Sequence, residues 1–324
     1  MASLGSRTNP QYGRGTHTLP ADTPSLSDEE VRLKTWLDGF LQQPGLELPR
    51  PPRVALEILE LSQKASARIE DIGSLLEREP LLAGRVLRLA NSALYGATAP
   101  VTTLKQALIR MGLATVRDVV MEAAFHMTVL RAEGFNDTLE CIRRHSTAVA
   151  WLSRFIARNT SIDAENAFLL GLLHDVGLSV ALIGLTEFLK RQKVAPKLTP
   201  LRWLAVDGVH ETFTEQVLAS WGLPPGILLV VKNHHSLLIQ GMAHPSIAIL
   251  MIAEQIAFDG GWGVVPKIEA GDDDMAFTAA REASAIDSVD PALSAVNLTR
   301  THYEMFVNDT KRVLETLASQ FRQR

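Results

Sequence analysis

The chain has 324 residues, of which 46% are hydrophobic and only 6% are aromatic. A composition rich in Leu, Ala and Val favours helices over β-sandwiches, and the length suits one large domain or two smaller ones. A net charge of -4 excludes a general electrostatic attraction to nucleic acids or anionic membranes. The single cysteine, Cys141, excludes an intrachain disulfide and suits a reducing cytoplasm.

The first 25 residues are polar and rich in Gly, Pro and Thr, and they lack the apolar segment of a signal peptide. We therefore interpret residues 1–25 as a flexible leader. We also expect no apolar run long enough to span a bilayer, and so no membrane partner. These features together predict a cytoplasmic protein.

Helical patterns begin near Leu26 and dominate the first 130 residues. Ser27-Asp28-Glu29-Glu30 resembles a capping box, and apolar residues then recur at helical spacing up to Leu41, before Pro44-Gly45 ends the helix. Thr103 is placed to cap a later helix. Further helices are predicted at about 53–63, 69–77, 81–92 and 104–111, and from 115 to beyond 125.

The second half of the chain is predicted to be helical as well. A long helix is expected at about 139–159, and Asp163 is placed to cap the next one, at 164–173. Later helices are predicted at about 180–192, 201–206, 210–221, 245–257 and 297–320, with another from Pro224 to His235. A loop is expected at about 260–274, where Trp262 is a candidate for an exposed contact. Because the alternation typical of strands is nearly absent, the sequence predicts an all-α fold.

A set of metal-ligand residue types is the most informative feature of the chain. His174 and Asp175 stand at the end of an apolar run, with His145 upstream and with His210 and His234-His235 downstream. Imidazoles and carboxylates bind Fe, Mn and Zn, and the two oxygens of Asp175 could bridge two metals. Since adjacent helical residues point about 100° apart, the histidine pair can serve one site only at a distorted helix end.

Two segments of the chain resemble a known family. The first contains Asn91-Ser92-Ala93-x-Tyr95-Gly96 and Ala107-x-x-Arg110-Met111-Gly112. The second contains Gly171-Leu172-Leu173-His174-Asp175-Val176-Gly177 and Trp221-Gly222-Leu223-Pro224. Together they resemble HDOD domains, the HD-related output domains of bacterial signalling, over residues from about 49 to 257.

The resemblance implies an all-α fold with two packed helical lobes, shared with HD phosphohydrolases and with HD-GYP cyclic di-GMP phosphodiesterases. We place the N-terminal lobe at residues 26–130. The HD-like lobe is placed at 131–324, with a C-terminal helical tail. The resemblance also implies a regulatory protein, because most HDOD domains are regulatory and not hydrolytic.

A set of metal ligands is implied by the same resemblance. In chain order these residues are His145, His174, Asp175, His210, His234, His235 and Glu254. The three later histidines match the second-metal ligands of HD-GYP enzymes. Glu254 stands where HD enzymes usually carry an Asp, and its extra methylene moves the carboxylate oxygens. If the protein is an enzyme, Asp175 is the expected catalytic residue, bridging two metals.

The chain departs from the catalytic pattern at three places. HD-GYP enzymes carry a Glu one turn before the first histidine, where this chain has Cys141. Active enzymes commonly carry a Lys after the HD-x-G motif, where this chain has Leu178. The Gly-Tyr-Pro motif is replaced by Ser236-Leu237-Leu238-Ile239. The metal ligands are therefore retained, whereas groups that hold and polarise a phosphodiester are lost.

The sequence predicts a stand-alone, cytoplasmic bacterial signalling regulator that acts through contacts with signalling proteins, without phosphodiesterase turnover. One alternative is a metal-dependent phosphohydrolase of nucleotides or cyclic dinucleotides. A second alternative is a sensor that binds a cyclic dinucleotide without hydrolysing it. A DNA-binding regulator is disfavoured by the negative charge and by the lack of a basic stripe.

Overall fold

The computed structural model describes residues 28–46, 48, 50–62, 64, 66–92, 100–128, 132–264 and 289–322. The predicted leader, the cap at Ser27 and the Tyr95-Gly96 element lie outside these residues. The first six helices are α1 (Asp28–Asp38), α2 (Arg53–Ser62), α3 (Ile69–Leu76), α4 (Pro80–Ala90), α5 (Leu104–Met111) and α6 (Leu113–Thr128). Between α1 and α2, a 3-10 turn at Phe40–Gln42 replaces the continuous helix that the sequence predicts up to Leu41. Gly39, a poor helix former, stands at the break.

The second half of the described chain contains nine more helices and one hairpin. The helices are α7 (Asn136–Ala157), α8 (Ala164–Leu173), α9 (Val176–Gln192), α10 (Pro200–Asp207), α11 (His210–Ser220), α12 (Pro225–Lys232), α13 (Pro245–Asp259), α14 (Val289–Ala295) and α15 (Arg300–Arg322). Strands β1 (Leu238–Ile239) and β2 (Met242–Ala243) pair antiparallel, with Leu238 opposite Ala243. The all-α prediction is confirmed, because this two-residue ladder is the only β-structure among the described residues.

Two elements of the structure, the β1–β2 hairpin and helix α14, were not predicted from the sequence. The hairpin was not expected, since two-residue strands are too short to show an alternating pattern. Its turn uses Gln240 and Gly241, which both adopt positive φ, at 51° and 81°. Helix α14 was not expected either, because seven residues provide only two helical turns of pattern.

Predicted caps account for the starts of two helices. The Thr103 side chain accepts a hydrogen bond from the Gln106 backbone N–H, and the Gln106 side chain completes a capping box on α5. The Asp163 carboxylate accepts from the backbone N–H groups of Glu165 and Asn166 at the start of α8. Each cap satisfies N–H groups that have no partner within the helix, so both predictions are confirmed.

Helix α1 packs against α9 and α10, which lie in the predicted HD-like lobe. The Trp36 indole N–H donates to the Gly184 carbonyl at 2.8 Å, and the Phe40 ring stacks on Phe213 with centroids 6.4 Å apart. Helices α2 to α6 pack mainly on one another. By its contacts α1 therefore belongs with the HD-like helices, whereas the lobe limits at 26, 130 and 131 remain predictions.

One apolar stretch, Ala164–Gln192, meets the length and composition of a membrane span, which the sequence analysis did not expect. The turn at His174-Asp175 interrupts this stretch between α8 and α9. Of its most apolar window, 94% is buried inside the protein. Its apolar character is therefore accounted for by packing in the protein core, and the same packing buries the turn that carries the candidate ligands.

Candidate metal centre

Helix α7 carries the first candidate ligand, His145, which is buried. Its Nδ1 lies 2.9 Å from the carbonyl oxygen of Trp262, a residue 117 positions later in the chain. Trp262 is itself buried, so the prediction that it forms an exposed contact is wrong. The Arg144 guanidinium covers its ring, 4.8 Å from the ring centroid. Trp262 thus orients a ligand through its backbone, a role that its side-chain type does not reveal.

The turn between α8 and α9 carries His174 and Asp175. His174 is fully buried, and its Nδ1 lies 2.9 Å from the Gly171 carbonyl oxygen. This contact directs Nε2 to within 3.3 Å of Asp175 Oδ2 and 3.2 Å of Glu254 Oε1, on α13. Gly171 lets α8 approach α7 closely, because a Cβ there would lie 2.8 Å from the Ala150 Cα.

The remaining histidines come from α11 and from the end of α12. His210 begins α11, and its Nδ1 contacts the Asp207 carbonyl oxygen. Helix α12 ends at Lys232, so His234 and His235 lie beyond it and are not bound to helical spacing. His210 Nε2 lies 3.3 Å from Nε2 of His234 and 3.2 Å from Nε2 of His235. The adjacent imidazoles therefore face one site, as expected for a helix end.

The candidate ligands form two groups with Asp175 between them. The first group is His145, His174 and Glu254, and the second group is His210, His234 and His235. Within each group, one potential ligand atom per residue lies within 4.8 Å of the others. Asp175 Oδ2 faces the first group, 3.7 Å from His145 Nε2. Asp175 Oδ1 faces the second, 3.5 Å from Nε2 of both His210 and His234. One carboxylate is thus placed to bridge two cations.

Two observations test whether a divalent metal fits this cluster. First, His174 Nε2 and Glu254 Oε1 are buried and have no hydrogen-bond partner, although they are only 3.2 Å apart. Buried polar atoms are normally satisfied, and a cation between these two would satisfy both. Second, the donor set of imidazoles and carboxylates is the one that Fe, Mn and Zn accept. The residues therefore fit a metal centre of this class, without distinguishing among the three metals.

The Nδ1 contacts of four histidines prepare their Nε2 atoms as ligands. His145, His174, His210 and His234 each place Nδ1 against a backbone carbonyl oxygen. A carbonyl only accepts, so in the neutral ring Nδ1 carries the proton and Nε2 presents its lone pair to the cluster. Such contacts fix the tautomer and the ring orientation of metal-binding histidines. His235 differs, because its Nδ1 faces Glu254 Oε2 at 4.0 Å and its side chain is 49% exposed.

Burial and mutual charge shift the pKa values of the cluster in opposite directions. Burial alone lowers the pKa of His234, but Asp175 and Glu254 outweigh it and raise that pKa to about 9. Burial alone raises the pKa of Asp175, but His174, His234 and His210 hold it well below its usual range. Although half of the His235 side chain is exposed, desolvation of its ring and the neighbouring His234 and His210 lower its pKa. Without a metal, protons therefore balance the carboxylate charge, and metal uptake must displace them.

Glu211 supports the second group and was not singled out from the sequence. Its Oε1 accepts a hydrogen bond from the backbone N–H of His235 at 3.3 Å and lies 3.8 Å from His234 Nδ1. It follows His210 directly in the chain, so position next to a candidate ligand was the available signal. A carboxylate at this distance orients the two histidines without being a ligand itself.

The three departures from the catalytic pattern have clear structural positions. Leu178 is buried in α9, so an apolar side chain stands where active enzymes present a Lys. Cys141 is partly exposed on α7, one turn before His145. Leu237 and Ile239 pack against the core, while Leu238 and Met242 of the hairpin are exposed. Among the described residues, no Lys or Arg forms an ion pair with Asp175 or Glu254.

Comparison with known families gives a match to the HDOD domain over residues 48–237. This range includes six of the seven candidate ligands and more than half of the chain. The chain belongs to the HDOD family. Glu254 lies beyond the matched range, and the structure of this HDOD protein brings its Oε1 to 3.2 Å from His174 Nε2.

Solved structures share the fold. An HDOD domain protein of unknown function from Geobacter sulfurreducens is 21% identical, with a TM-score of 0.60, over 90% of this chain and 98% of that chain. A Shewanella amazonensis protein proposed to be a metal-dependent phosphohydrolase is 18% identical, with a TM-score of 0.58, over 82% and 94%. A Marinobacter aquaeolei protein proposed to act in signal transduction is 18% identical, with a TM-score of 0.62, over 90% and 66%. At these identities the similarity establishes the fold alone.

A relative of known sequence is an uncharacterized protein from Treponema pallidum, which is 22% identical over 200 residues. The match covers 59% of this HDOD protein but only 38% of the relative. The chain therefore spans well under half of that relative, whose remaining segments have no counterpart in the match.

Proposed function

We propose that this HDOD protein is a bacterial signalling regulator whose HD-like lobe binds two divalent metals, and which acts through protein contacts without hydrolysis. The convergence of six candidate ligand side chains around Asp175, the seventh, carries the metal part of the proposal. A metal of the Fe, Mn or Zn class suits five imidazoles and two carboxylates. We further propose a cytoplasmic location, in keeping with the single cysteine.

The absence of turnover is supported by what surrounds the ligands. A phosphodiester needs groups that hold its charge while a bond breaks, and positively charged side chains commonly supply them. Leu178 is buried and cannot do so, and no Lys or Arg among the described residues forms an ion pair with Asp175 or Glu254. The hairpin after His235 instead exposes Leu238 and Met242, which suit contact with a protein better than contact with a phosphate.

A phosphohydrolase is the second candidate function, and the position of Asp175 favours it. A bridged metal pair would supply an activated water and neutralise developing phosphate charge. The role of this chain would be to hold Asp175 between the two groups. His235, half exposed, and Glu254, partly exposed, mark the side from which a substrate would enter. Two divalent cations against two carboxylates leave a net positive charge that would attract a phosphate group.

Metal content and turnover, measured on the same preparation, test the proposal. Protein purified without chelators is expected to contain about two metals per chain, by elemental analysis, and His174→Ala with Asp175→Ala is expected to contain none. His302→Ala is the matched control, because His302 lies on α15 outside the cluster and is expected to leave the metal content unchanged. Wild-type protein without metal would contradict the proposal.

The same preparation is then supplied with Mn or Fe and assayed against cyclic di-GMP and bis(p-nitrophenyl) phosphate. The regulator proposal expects no turnover of either compound. Turnover that Asp175→Ala abolishes would establish the phosphohydrolase instead. Equilibrium binding of cyclic di-GMP without turnover would establish a nucleotide sensor.

A further inference from the structure

A buried threonine joins the two halves of the candidate metal centre. Thr214 lies on α11, one turn after His210, and is fully buried. Its hydroxyl donates to the His174 carbonyl oxygen at 3.0 Å and accepts from the Gly177 backbone N–H at 2.9 Å. One hydroxyl is thus hydrogen-bonded to the main chain on both sides of Asp175.

This arrangement is unusual for a threonine within a helix. Such a hydroxyl commonly bonds to the carbonyl three or four residues earlier in its own helix, as Thr186 does with Leu182 at 2.9 Å. Thr214 bonds across to another element instead. His174 belongs to the turn after α8 and Gly177 to the first turn of α9, so both bonds connect the α8–α9 turn to α11.

The contact surface beside Thr214 requires close backbone approach. A Cβ on Gly177 would overlap the His210 carbonyl oxygen and would lie 2.6 Å from the Thr214 nitrogen. Gly177 therefore allows the first turn of α9 to sit directly on the first turn of α11. The two hydrogen bonds of the Thr214 hydroxyl then fix the position of the α8–α9 turn relative to α11.

We infer that Thr214 is a positioning residue that fixes the distance between the two ligand groups. This inference rests on the proposed two-metal site. Asp175 bridges only if Oδ1 reaches His210 and His234 while Oδ2 reaches His174. The two Thr214 hydrogen bonds hold the His174 carbonyl and the Gly177 N–H, the backbone groups on either side of Asp175, to α11, which carries His210. Loss of the hydroxyl leaves one ligand group free to move relative to the other.

The test measures Mn²⁺ binding to chelator-treated protein. Isothermal titration calorimetry gives the affinities, and the electron paramagnetic resonance signal of coupled Mn²⁺ pairs reports whether both sites are filled. Thr214→Val keeps the branched shape but removes the hydroxyl. We expect it to weaken the second equivalent of Mn²⁺ by about 10–100-fold and to lose the coupled signal, as is typical when residues that orient ligands are changed. Thr214→Ser restores the hydroxyl and is expected to restore both.

Thr186→Val is the matched control, because it removes a buried threonine hydroxyl from α9 away from the cluster. It is expected to bind both equivalents as the wild type does. If Thr214→Val is recovered unfolded, Thr214→Cys, a weaker hydrogen-bonding group, is expected to give an intermediate affinity with a native melting curve.

Each outcome separates the inference from the proposed function. Wild-type protein that binds two Mn²⁺ ions, with Thr214→Val unchanged, overturns the role of Thr214 and leaves the metal centre intact. A defect that Thr214→Ser does not restore overturns it as well, since packing and not the hydroxyl would then be responsible. Wild-type protein that binds no Mn²⁺ overturns the proposed function itself.

Discussion

Two clusters of largely buried charged side chains, both among the described residues, differ in which buried atoms lack a hydrogen bond. One is the candidate metal centre around Asp175. The other, here the Asp118 network, joins α6, α7 and α8 through Arg117, Asp118, Arg154 and Glu165. Arg117 donates to Asp118 at 2.7 Å and to Glu165 at 2.8 Å, and Arg154 contacts the other oxygen of Asp118. Both oxygens of Asp118 are therefore paired within the protein.

The buried atoms that lack a hydrogen bond distinguish a structural ion network from a site that could bind a cation. In the Asp118 network the buried side-chain atom without a hydrogen bond is Arg154 Nε, a donor that cannot bind a cation. In the candidate metal centre the buried atoms without a hydrogen bond are His174 Nε2 and Glu254 Oε1, which can both bind a cation. Because burial outweighs Arg117 and Arg154, the pKa of Asp118 rises to about 6, whereas that of Asp175 is held low.

The largest expected effect is on stability when metal is removed. A ligand that binds only the folded state at a thousand times its Kd stabilises by about 4 kcal/mol per site. We expect a chelator to lower the unfolding free energy of the metal-loaded protein by this order, measured by thermal or urea unfolding. Asp175→Ala is expected to be insensitive to the chelator, and equal sensitivity of the two proteins would contradict the assignment of the cluster.

Breaking the Asp118 network should destabilise the fold but leave metal binding unchanged. Arg154→Met removes one partner of buried Asp118, and breaking a buried pair costs about 3–5 kcal/mol. Urea unfolding measures the loss, and elemental analysis is expected to give the wild-type metal content.

Arg300→Met is the control for Arg154→Met. Its ion pair with Asp290 is exposed, so its loss is expected to cost under about 1 kcal/mol. A fall in the metal content of Arg154→Met would contradict the separation of the two clusters.

The metal-free protein should lose stability at alkaline pH. The folded-state pKa of His234 is about 9, above its usual 6.5. Its stabilising contribution is thus fully present below about pH 6.5 and lost as pH rises through about 9, by up to about 3 kcal/mol. Urea unfolding of chelator-treated protein at pH 6, 7.5 and 9 measures it. In His234→Gln this loss of stability at alkaline pH should be smaller. A pH profile identical to that of the wild type would contradict the assignment of the loss to His234.

The smallest expected effect is at Glu211. Its carboxylate orients His235 and lies near His234 without being placed as a ligand. Glu211→Gln should weaken the second metal by about tenfold, the lower end for residues that orient ligands. Glu215→Gln, one turn further along α11, loses only an ion pair with Lys232 and should bind metal normally. Titration with Mn²⁺ compares the two variants, and equal affinities would contradict the role of Glu211 in orienting the histidines.

Local sequence patterns determined most helices of this protein and the identity of its candidate ligands. The spans of α5 and α8 were predicted to the residue, because Thr103 and Asp163 supply caps whose hydrogen bonds are local. The pair His174-Asp175 was recognisable because it follows an apolar run. Helical periodicity and capping act within a few residues, so one sequence suffices to read them.

Only the tertiary structure decided how these elements meet. The carbonyl of Trp262 orients His145 from 117 residues away, Thr214 ties the α8–α9 turn to α11, and α1 packs on α9 and α10. Each of these contacts involves backbone groups or packing between distant segments, which leave no periodic pattern in the chain. The sequence therefore determined which residues could bind a metal, and long-range packing determined that their ligand atoms face one another.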